Sequence, residues 1–201
     1  MLNRIYTYMI NTILKKRIQG TGMIILDRQD VLALDKSAVL RLNGHLILNA
    51  NRMGKYNGRS TILRMDKDSS ILTKGNFSFM YGSDIILFPG AKLELGKDSY
   101  INSNCKIRCH HKIVIGDNCS ISHDFTIMDS DAHKLNGVLK TQPVYIGNHV
   151  WIGTRVTILS GVKVGNGAVV AAGSLVKDDI PEGSLVAGVP AQIIKENVSW
   201  G

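Results

Sequence analysis

Aromatic residues and proline are scarce in this chain of 201 residues. Only 6% of the residues are aromatic and 4 are proline, whereas 44% are hydrophobic and 20 are glycine. Aliphatic side chains must therefore form most of the core, and this composition favours short, tightly turned strands over a bundle of helices. The length suits one domain with a buried core.

Signals for secretion and for a membrane span are also missing. The 3 cysteines are odd in number and too few to staple a secreted domain of this size. The N-terminus lacks an apolar stretch followed by a small-residue cleavage site, and no hydrophobic run approaches membrane-spanning length. We therefore expect a cytoplasmic protein.

The net charge of +8 is not accompanied by a nucleic-acid-binding pattern. Lysine and arginine are spread along the chain, and no helix-turn-helix, zinc-finger or RRM pattern occurs. We expect no nucleic acid as partner. An anionic ligand, such as the phosphates of CoA, a nucleotide-sugar or an acidic lipid surface, accounts for the charge.

The first 20 residues differ from the rest and predict an amphipathic helix. Its apolar stripe consists of Leu2, Ile5, Met9, Ile13 and Leu14. The basic residues 15–17 follow, and Gly20 is expected to end the helix. The stripe packs either against the body of the protein or against a partner subunit. The alternative is peripheral contact with the inner face of a membrane that carries a lipid-linked acceptor.

Aliphatic residues then recur at every sixth position. They are Leu95, Ile101 and Ile107, then Ile115, Ile121 and Ile127, then Ile146, Ile152, Ile158, Val164, Val170 and Val176. A period of six predicts a parallel β-helix in which three hexapeptides form one coil. Glycines follow several of these residues, and we expect them to adopt positive φ in the turns. They are Gly116, Gly147, Gly153 and Gly165.

The period divides the chain into four segments. We predict the helix over 1–20, irregular solenoid coils over 21–94, and regular coils over 95–180 with a protruding loop at 128–145. Residues 181–201 would cap the open end, with a short helix over Gln192 to Asn197.

Thiol and imidazole side chains gather between residues 105 and 123, which raises the hypothesis of a zinc site. The group comprises Cys105, Cys109, His110, His111, Cys119 and His123. On a six-residue repeat Cys105 and Cys109 point to different parts of the coil, and no CxxC pair occurs. We therefore expect no metal.

His133 lies in the protruding loop, shortly after Asp129 and Asp131. A neutral imidazole can take the proton of a hydroxyl that attacks a thioester. A carboxylate on the other ring nitrogen would fix the tautomer, and either aspartate can fill this role. The loop is therefore the candidate catalytic site.

The C-terminal half resembles the hexapeptide-repeat acetyltransferases, a family that includes galactoside, maltose and nodulation-factor acetyltransferases and polysaccharide O-acetyltransferases. The resemblance is dense over residues 95–196, and its specific motifs are Val150-Trp151-Ile152-Gly153 and Ala187-Gly188-Val189-Pro190-Ala191. It implies an all-β, left-handed parallel β-helix and a homotrimer with active sites in clefts between subunits. It also implies acetyl-CoA as co-substrate along the C-terminal coils and His133 as general base.

The resemblance further assigns binding residues position by position. Asn102 matches an acceptor-contacting asparagine, Trp151 matches a tryptophan that walls the acetyl channel, and His110 falls where relatives place a polar residue near the acceptor. For CoA, Thr154 and Ala172 match positions that present backbone groups to the pantetheine arm, and Lys177 and Lys195 fall near positions that meet the phosphates. Gly153 is also expected in the CoA site, and a backbone amide at Gly153 or Thr154 would hold the oxyanion. The chain departs from the family pattern at Asp178 and Gln192, where relatives often have lysine and arginine, so the phosphate end of the site is expected to differ.

These residues predict an acetyl-CoA-dependent O-acetyltransferase that acts on a sugar hydroxyl in cell-surface polysaccharide or glycolipid synthesis. N-acetylation of an amino sugar, perhaps nucleotide-linked, uses similar machinery and is one alternative. A non-catalytic hexapeptide scaffold is the other, and the presence of His133 argues against it.

Overall fold

Three parallel sheets form the body of the protein. The computed structural model describes residues 2–50 and 59–201, so residues 51–58 of the expected 21–94 segment lie outside the described residues. The chain begins with helix α1 (Leu2–Ile13). Sheet A contains β1 (Ile18–Gly20), β4 (Val39–Leu42), β7 (Ser70–Thr73), β10 (Lys92–Leu95), β13 (Lys112–Ile115), β18 (Val144–Ile146) and β21 (Lys163–Val164).

The other two sheets have the same spacing along the chain. Sheet B contains β2 (Ile24–Ile25), β5 (Leu46–Ala50), β8 (Phe77–Met80), β11 (Ser99–Ile101), β14 (Ser120–Ile121), β19 (Trp151–Ile152), β22 (Val169–Val170), β24 (Leu185–Gly188) and β25 (Ala191–Lys195). Sheet C contains β3 (Val31–Leu34), β6 (Ile62–Met65), β9 (Asp84–Leu87), β12 (Lys106–Cys109), β15 (Thr126–Met128), β20 (Thr157–Ile158) and β23 (Leu175–Val176). A separate antiparallel hairpin is formed by β16 (Ser130–Leu135) and β17 (Val138–Thr141).

The chain visits sheets A, B and C in turn and then begins the next coil. This winding is a left-handed parallel β-helix, which confirms the predicted fold class. Where one sheet passes to the next, the turns line up into three edges of a triangular rod. Edge AB includes 96–98, 116–119, 147–150 and 165–168; edge BC includes 102–105, 122–125, 153–156 and 171–174; edge CA includes 88–91, 110–111, 129–143 and 159–162.

The six-residue positions form the interior of the rod, as predicted. All twelve are at most 3% exposed. Equivalent positions pair directly between coils: Ile121 pairs with Ile101 on one side and with Ile152 on the other. Each aliphatic side chain thus packs on the one above it, and the apolar area removed from water supplies most of the stabilisation.

The N-terminal coils are more regular than their sequence indicates. Their strands are mostly four residues long, and residues of each strand alternate between the interior and the surface, as in Phe77–Met80 and Asp84–Leu87. Each such strand buries two side chains, for example Phe77 and Phe79, whose rings lie 5.0 Å apart. Longer strands with varied residues blur the period of six, which explains the irregular pattern in this half.

The expected role of the glycines is wrong. Positive φ occurs two residues further along, at Asn118 and His149 on edge AB, and Gly116 and Gly147 do not share it. A side chain on Gly116 would instead collide with the backbone of Gly147 in the next coil, and Gly147 in turn lies against Asn166. Glycine is required on this edge because adjacent coils approach too closely for a Cβ atom.

Of the predicted stripe of the N-terminal helix, Leu14 is buried as expected, whereas Ile5, Met9 and Ile13 are not. Helix α1 ends at Ile13, and residues 18–20 already belong to β1, so the predicted end at Gly20 is wrong. Tyr6, Ile10 and Leu14 pack against the core, whereas Ile5, Met9 and Ile13 are exposed. The side chain of Leu2 lies outside the described residues. No helix in the described part of the chain is long and apolar enough to cross a membrane.

Polar side chains attach α1 to the first coil. The side-chain amide of Asn11 donates to the carbonyl of Ile24 at 2.7 Å, and its oxygen accepts from the amide of Ile24 at 3.0 Å. Because β2 is the terminal strand of sheet B, Asn11 satisfies backbone groups that would otherwise lack partners. The helix therefore closes part of the N-terminal end of the rod.

The C-terminal cap is a hairpin and not the expected helix. Residues Ala191–Lys195 form β25, which pairs antiparallel with β24. The turn between them contains the cis peptide Val189-Pro190. A strand here continues the hydrogen-bonding pattern of sheet B, which a helix over Gln192 to Asn197 would interrupt.

Replacement of Gly116 by alanine should destabilise the rod. The added methyl group would overpack the contact with the next coil, and we expect a loss of about 1–3 kcal/mol in the free energy of unfolding. Gly173→Asn is the matched control, because Gly173 has positive φ and open space around it and asparagine tolerates that conformation. Guanidinium unfolding followed by circular dichroism at one protein concentration measures both. Equal midpoints for the two variants would contradict the stacking argument.

Candidate active site

His133 lies on a hairpin that leaves the rod at edge CA. The strands β16 and β17 pair from Leu135 with Val138 back to Ser130 with Thr141, and a two-residue turn joins them. That turn is Asn136-Gly137, with φ of 51° and 79°, as in the tight turns that match strand twist. The imidazole of His133 is exposed and makes no hydrogen bond within the described residues.

A bulge fixes the direction of the backbone just before His133. The register of the hairpin shifts between Ser130 and Lys134, and Ala132 has a φ of 59°. The hydroxyl of Ser130 accepts a hydrogen bond from the amide of Ala132 at 3.1 Å. Alanine in a left-handed conformation costs on the order of 1 kcal/mol, and such strain concentrates at functional sites. Bulges of this kind redirect a side chain.

Asp129 anchors the root of the hairpin from one side. Its carboxylate is fully buried and accepts hydrogen bonds from the backbone amides of His110, His111 and Lys112 at 2.6, 2.8 and 2.6 Å. Three amide donors compensate the buried negative charge. The carboxylate forms no hydrogen bond with His133, whereas the exposed carboxylate of Asp131 makes no hydrogen bond or ion pair within the described residues.

Ser160 anchors the same root from the next coil. Its hydroxyl donates to the carbonyl of Asp129 at 2.9 Å and accepts from the amide of Gln142 at 3.1 Å. The amide of Gln142 also donates to the carbonyl of Asp129, at 2.9 Å. The two chain ends of the hairpin are therefore held between the coils above and below it.

His110 lies one coil above the hairpin root on the same edge. Its ring stacks on Phe88 with centroids 3.7 Å apart, and Nδ1 is buried without a hydrogen-bond partner. The nearest oxygen of Asp129 is 3.8 Å from Nδ1. The predicted acceptor residue is thus brought to the same edge as His133.

The remaining predicted acceptor and CoA residues lie mostly on edge BC. Asn102 accepts a hydrogen bond from the amide of Ser103 at 2.7 Å, and the hydroxyl of Thr154 donates to the carbonyl of His123 at 3.1 Å. Ala172 is exposed one coil below Thr154. In a single chain, the whole width of sheet C separates these residues from His133.

The packing of adjacent coils restricts the residue at position 153 to glycine, apart from the predicted role of Gly153 in CoA binding. Its amide donates to the carbonyl of Val170 at 2.8 Å, so that this N–H is occupied and cannot also serve an oxyanion. A Cβ at this position would collide with the backbone of Ala172. Coil stacking alone therefore requires glycine here.

Trp151 projects from sheet B into an aromatic cluster that the sequence did not indicate. The side chain is 45% exposed, and its ring lies 6.1 Å from that of Trp200. Trp200 stacks on His149 at 4.2 Å, its indole N–H donates to the carbonyl of His149 at 3.0 Å, and its own carbonyl is 3.0 Å from Nε2 of His149. The C-terminal tail is thereby held beside Trp151.

The two lysines predicted to meet phosphates lie near the C-terminal end of the rod. Lys177 forms an ion pair with Asp178 at 2.7 Å, and both side chains are exposed. Lys195 is exposed on β25. Asp178, where relatives often have lysine, thus pairs its carboxylate with Lys177, one of the two candidate phosphate-binding cations.

The three cysteines are free thiols inside the rod. Burial raises the pKa of Cys105 to about 12, and burial together with the nearby charge of Asp129 raises the pKa of Cys109. The described residues contain no cluster of three or more His, Cys, Asp or Glu side chains arranged for a metal ion. Protonated, separated thiols are poor metal ligands.

Comparisons with known proteins agree with this architecture. Residues 143–178 match the bacterial transferase hexapeptide family, six repeats. A putative acetyltransferase of Saccharomyces cerevisiae is 31% identical over 172 residues, which cover 83% of this chain and 84% of that protein. The galactoside O-acetyltransferase of Escherichia coli is 38% identical over 112 residues, or 53% of this chain. The chain spans 55% of that relative's length.

A solved structure shares the fold over most of its length. The structure of a polysialic acid O-acetyltransferase has a TM-score of 0.65 and 24% identity, and the match covers 92% of this chain and 90% of that one. Together with the sequence matches, it shows that the chain belongs to the hexapeptide-repeat acetyltransferase family.

Removal of the Asp129 carboxylate should loosen the hairpin root. Asp129→Ala leaves three partly buried amides without their side-chain acceptor, and an unsatisfied buried group costs about 1–3 kcal/mol. Trypsin should then cleave faster after Lys134 and Lys140, which lie in the hairpin strands. Asp131→Ala is the matched control, because Asp131 is exposed and should leave the cleavage rate unchanged. If both variants are cleaved at the wild-type rate, Asp129 does not hold the root.

Proposed function

We propose that this protein is an acetyl-CoA-dependent O-acetyltransferase that acetylates a sugar hydroxyl in a cell-surface polysaccharide or glycolipid. The observation that carries the proposal is His133, an exposed imidazole on a bulged hairpin with a rigid root. Family membership supports acetyl transfer, and the relatives named above act on a galactoside and on polysialic acid.

His133 acts as general base in this proposal. Its neutral imidazole takes the proton of the acceptor hydroxyl while the oxygen forms a bond to the carbonyl carbon of the acetyl thioester. The carbon–sulfur bond then breaks, and the imidazolium returns the proton to the CoA thiolate. Because Asp129 is committed to backbone amides, we assign the orienting carboxylate to Asp131, with Asp129 holding the hairpin that carries both residues.

Edge BC provides the CoA surface. The half-buried Thr154 and the exposed Ala172 lie on successive coils, so that backbone groups beside them can follow an extended pantetheine arm. Trp151 walls the same region, and Lys177 and Lys195 supply cations for the phosphates at the C-terminal end. Asn102, further toward the N-terminus on edge BC, and His110 contact the acceptor.

A complete site requires two copies of the chain. Sheet C separates His133 from Asn102 and Thr154, and a four-residue strand spans roughly 13 Å. Two rods side by side can bring edge CA of one against edge BC of the next. Such a contact uses different surfaces on the two copies, and it closes into a ring; we assign a homotrimer, with three equivalent sites.

We place the reaction in the cytoplasm. Acetyl-CoA is a cytoplasmic metabolite, and three buried free thiols suit a reducing compartment.

Loss of the base should abolish most of the activity. His133→Ala should lower turnover by about 100-fold or more, the usual contribution of a general base, with the circular dichroism spectrum unchanged. Lys134→Ala, the neighbouring residue on the same strand, should keep near-normal turnover. The assay offers a hydroxy sugar and an amino sugar together with acetyl-CoA. Acetylation of nitrogen only would contradict O-transfer, and full turnover of His133→Ala would contradict the base.

Two inactive variants should complement each other if the site lies between copies. In oligomers refolded from equal amounts of His133→Ala and Asn102→Ala chains, about a quarter of a head-to-tail ring's interfaces contain both native residues. Turnover should therefore recover to about that fraction of the wild-type value. The double variant His133→Ala/Asn102→Ala, mixed with wild type, controls for exchange alone. No recovery in well-mixed oligomers would place both residues of each site in one chain.

A further inference from the structure

One apolar side of helix α1 faces solvent. Ile5, Tyr8, Met9 and Ile13 are 54%, 73%, 54% and 71% exposed. The opposite side contacts the first coil through Tyr6, Ile10 and Leu14, beside Asn11 and its two hydrogen bonds to Ile24. A surface helix normally presents polar residues on its outer side, so the exposed apolar residues of α1 form a surface for a second contact.

Positive charge flanks that surface. Residues 1–26 contain Arg4, Lys15, Lys16 and Arg17 and no aspartate or glutamate. Arg17 donates to the carbonyl of Leu34 at 3.1 Å, whereas Arg4, Lys15 and Lys16 are exposed and have no ion-pair partner within the described residues. The partner of this surface should therefore be anionic as well as apolar.

An apolar groove adjoins the helix. It has a volume of about 600 Å³ and is lined by residues of α1, β2 and β5, with Tyr8, Met23, Ile25 and Ile47 among its apolar walls. The charged residues of its lining are Arg4, which is exposed, and Asp27, which is buried. A groove with an exposed arginine in its lining, beside an exposed apolar helix, can take an acyl chain while the arginine contacts a phosphate.

We propose that this region is a docking surface for an anionic lipid bilayer. The lipid-docking face consists of Arg4, Ile5, Tyr8, Met9, Ile13, Lys15 and Lys16. Its apolar side chains enter the boundary between headgroups and acyl chains, and its cations contact the negative headgroups. A second copy of the chain is a poorer occupant, since equivalent faces brought together by a twofold axis would oppose their unpaired cations.

Vesicle sedimentation with the full chain tests the proposal directly. The wild-type protein should sediment with vesicles of phosphatidylcholine plus phosphatidylglycerol, bind less to phosphatidylcholine alone, and dissociate as salt is raised. The variant Ile5→Gln/Met9→Gln/Ile13→Gln should lose binding, since glutamine keeps the helix but removes its apolar side chains. The matched control Ile62→Gln/Ile193→Gln/Ile194→Gln changes three exposed apolar residues elsewhere and should bind normally.

A charge-reversal variant separates the electrostatic contribution to vesicle binding from effects on folding. Lys15→Glu/Lys16→Glu should weaken binding to the anionic vesicles by at least about tenfold, because each cation near such a surface contributes on the order of fivefold. Lys67→Glu/Lys74→Glu makes the same change of charge at two exposed positions outside the face and should have a much smaller effect.

Three outcomes would overturn the proposal. They are absence of wild-type binding to anionic vesicles, equal binding by the face variants and their controls, and a change in oligomeric mass of the glutamine variant in light scattering. The last result would show that the helix packs between copies. Because sedimentation does not measure acetyl transfer, the proposal stands or falls independently of the enzyme activity.

Discussion

Close contact between successive coils is the constraint on which this molecule depends. Backbone hydrogen bonds join each strand to its equivalents in neighbouring coils, so the coils lie about 4.8 Å apart and every inward side chain packs on its counterpart. The spacing leaves no room for a Cβ atom at Gly116. The residue after each glycine on this edge bonds to its equivalent in the next coil. The side-chain oxygen of Asn148 accepts from the amide of Asp117 at 2.8 Å, and that of Asn166 accepts from the amide of Asn148 at 2.8 Å.

The same constraint determines where a functional segment can be inserted. A strand in the middle of a sheet has partners on both sides, and an insertion there would break two rows of hydrogen bonds. An edge only changes the direction of the chain, and a hairpin can leave and return there if its two ends are tied. At edge CA, Asp129 ties one end to the coil above, and Ser160 ties the root to the coil below. A rigid rod thus presents a histidine on a short, strained and exposed support.

The sequence predicted the interior of the rod better than its surface. The sixfold period depends on inward side chains, and all twelve positions that it identified in the C-terminal coils are buried. The helical stripe was wrong for Ile5, Met9 and Ile13 because local periodicity cannot show which face of α1 contacts the rod. The hydrogen bonds of Asn11 to Ile24 orient the helix, and they join residues 13 positions apart. The stack of Trp200 on His149 joins residues 51 positions apart and left no local signal.

The sequence allowed the candidate site residues to be identified, but it did not show which of them lie on the same edge of the rod. His133 and Asn102 carry recognisable chemistry in the sequence, whereas their positions on different edges follow only from the order of the three sheets. Asp129 and Asp131 look equivalent two residues apart, and burial alone separates them: one has 0% exposure and three amide donors, the other faces solvent.

Because the coils stack at a constant spacing, the number of coils between two sites sets the distance between them along the rod. Sheet C advances by four strands from β3, in the first coil, to β15, where the hairpin begins, so His133 stands roughly 20 Å along the axis from the coil that holds α1. Deletion or duplication of one coil would change this axial distance by one coil spacing, about 4.8 Å, and leave the cross-section of the rod unaltered. The axial distance between the N-terminal helix and the catalytic hairpin can therefore change only in steps of one coil, through gain or loss of whole coils.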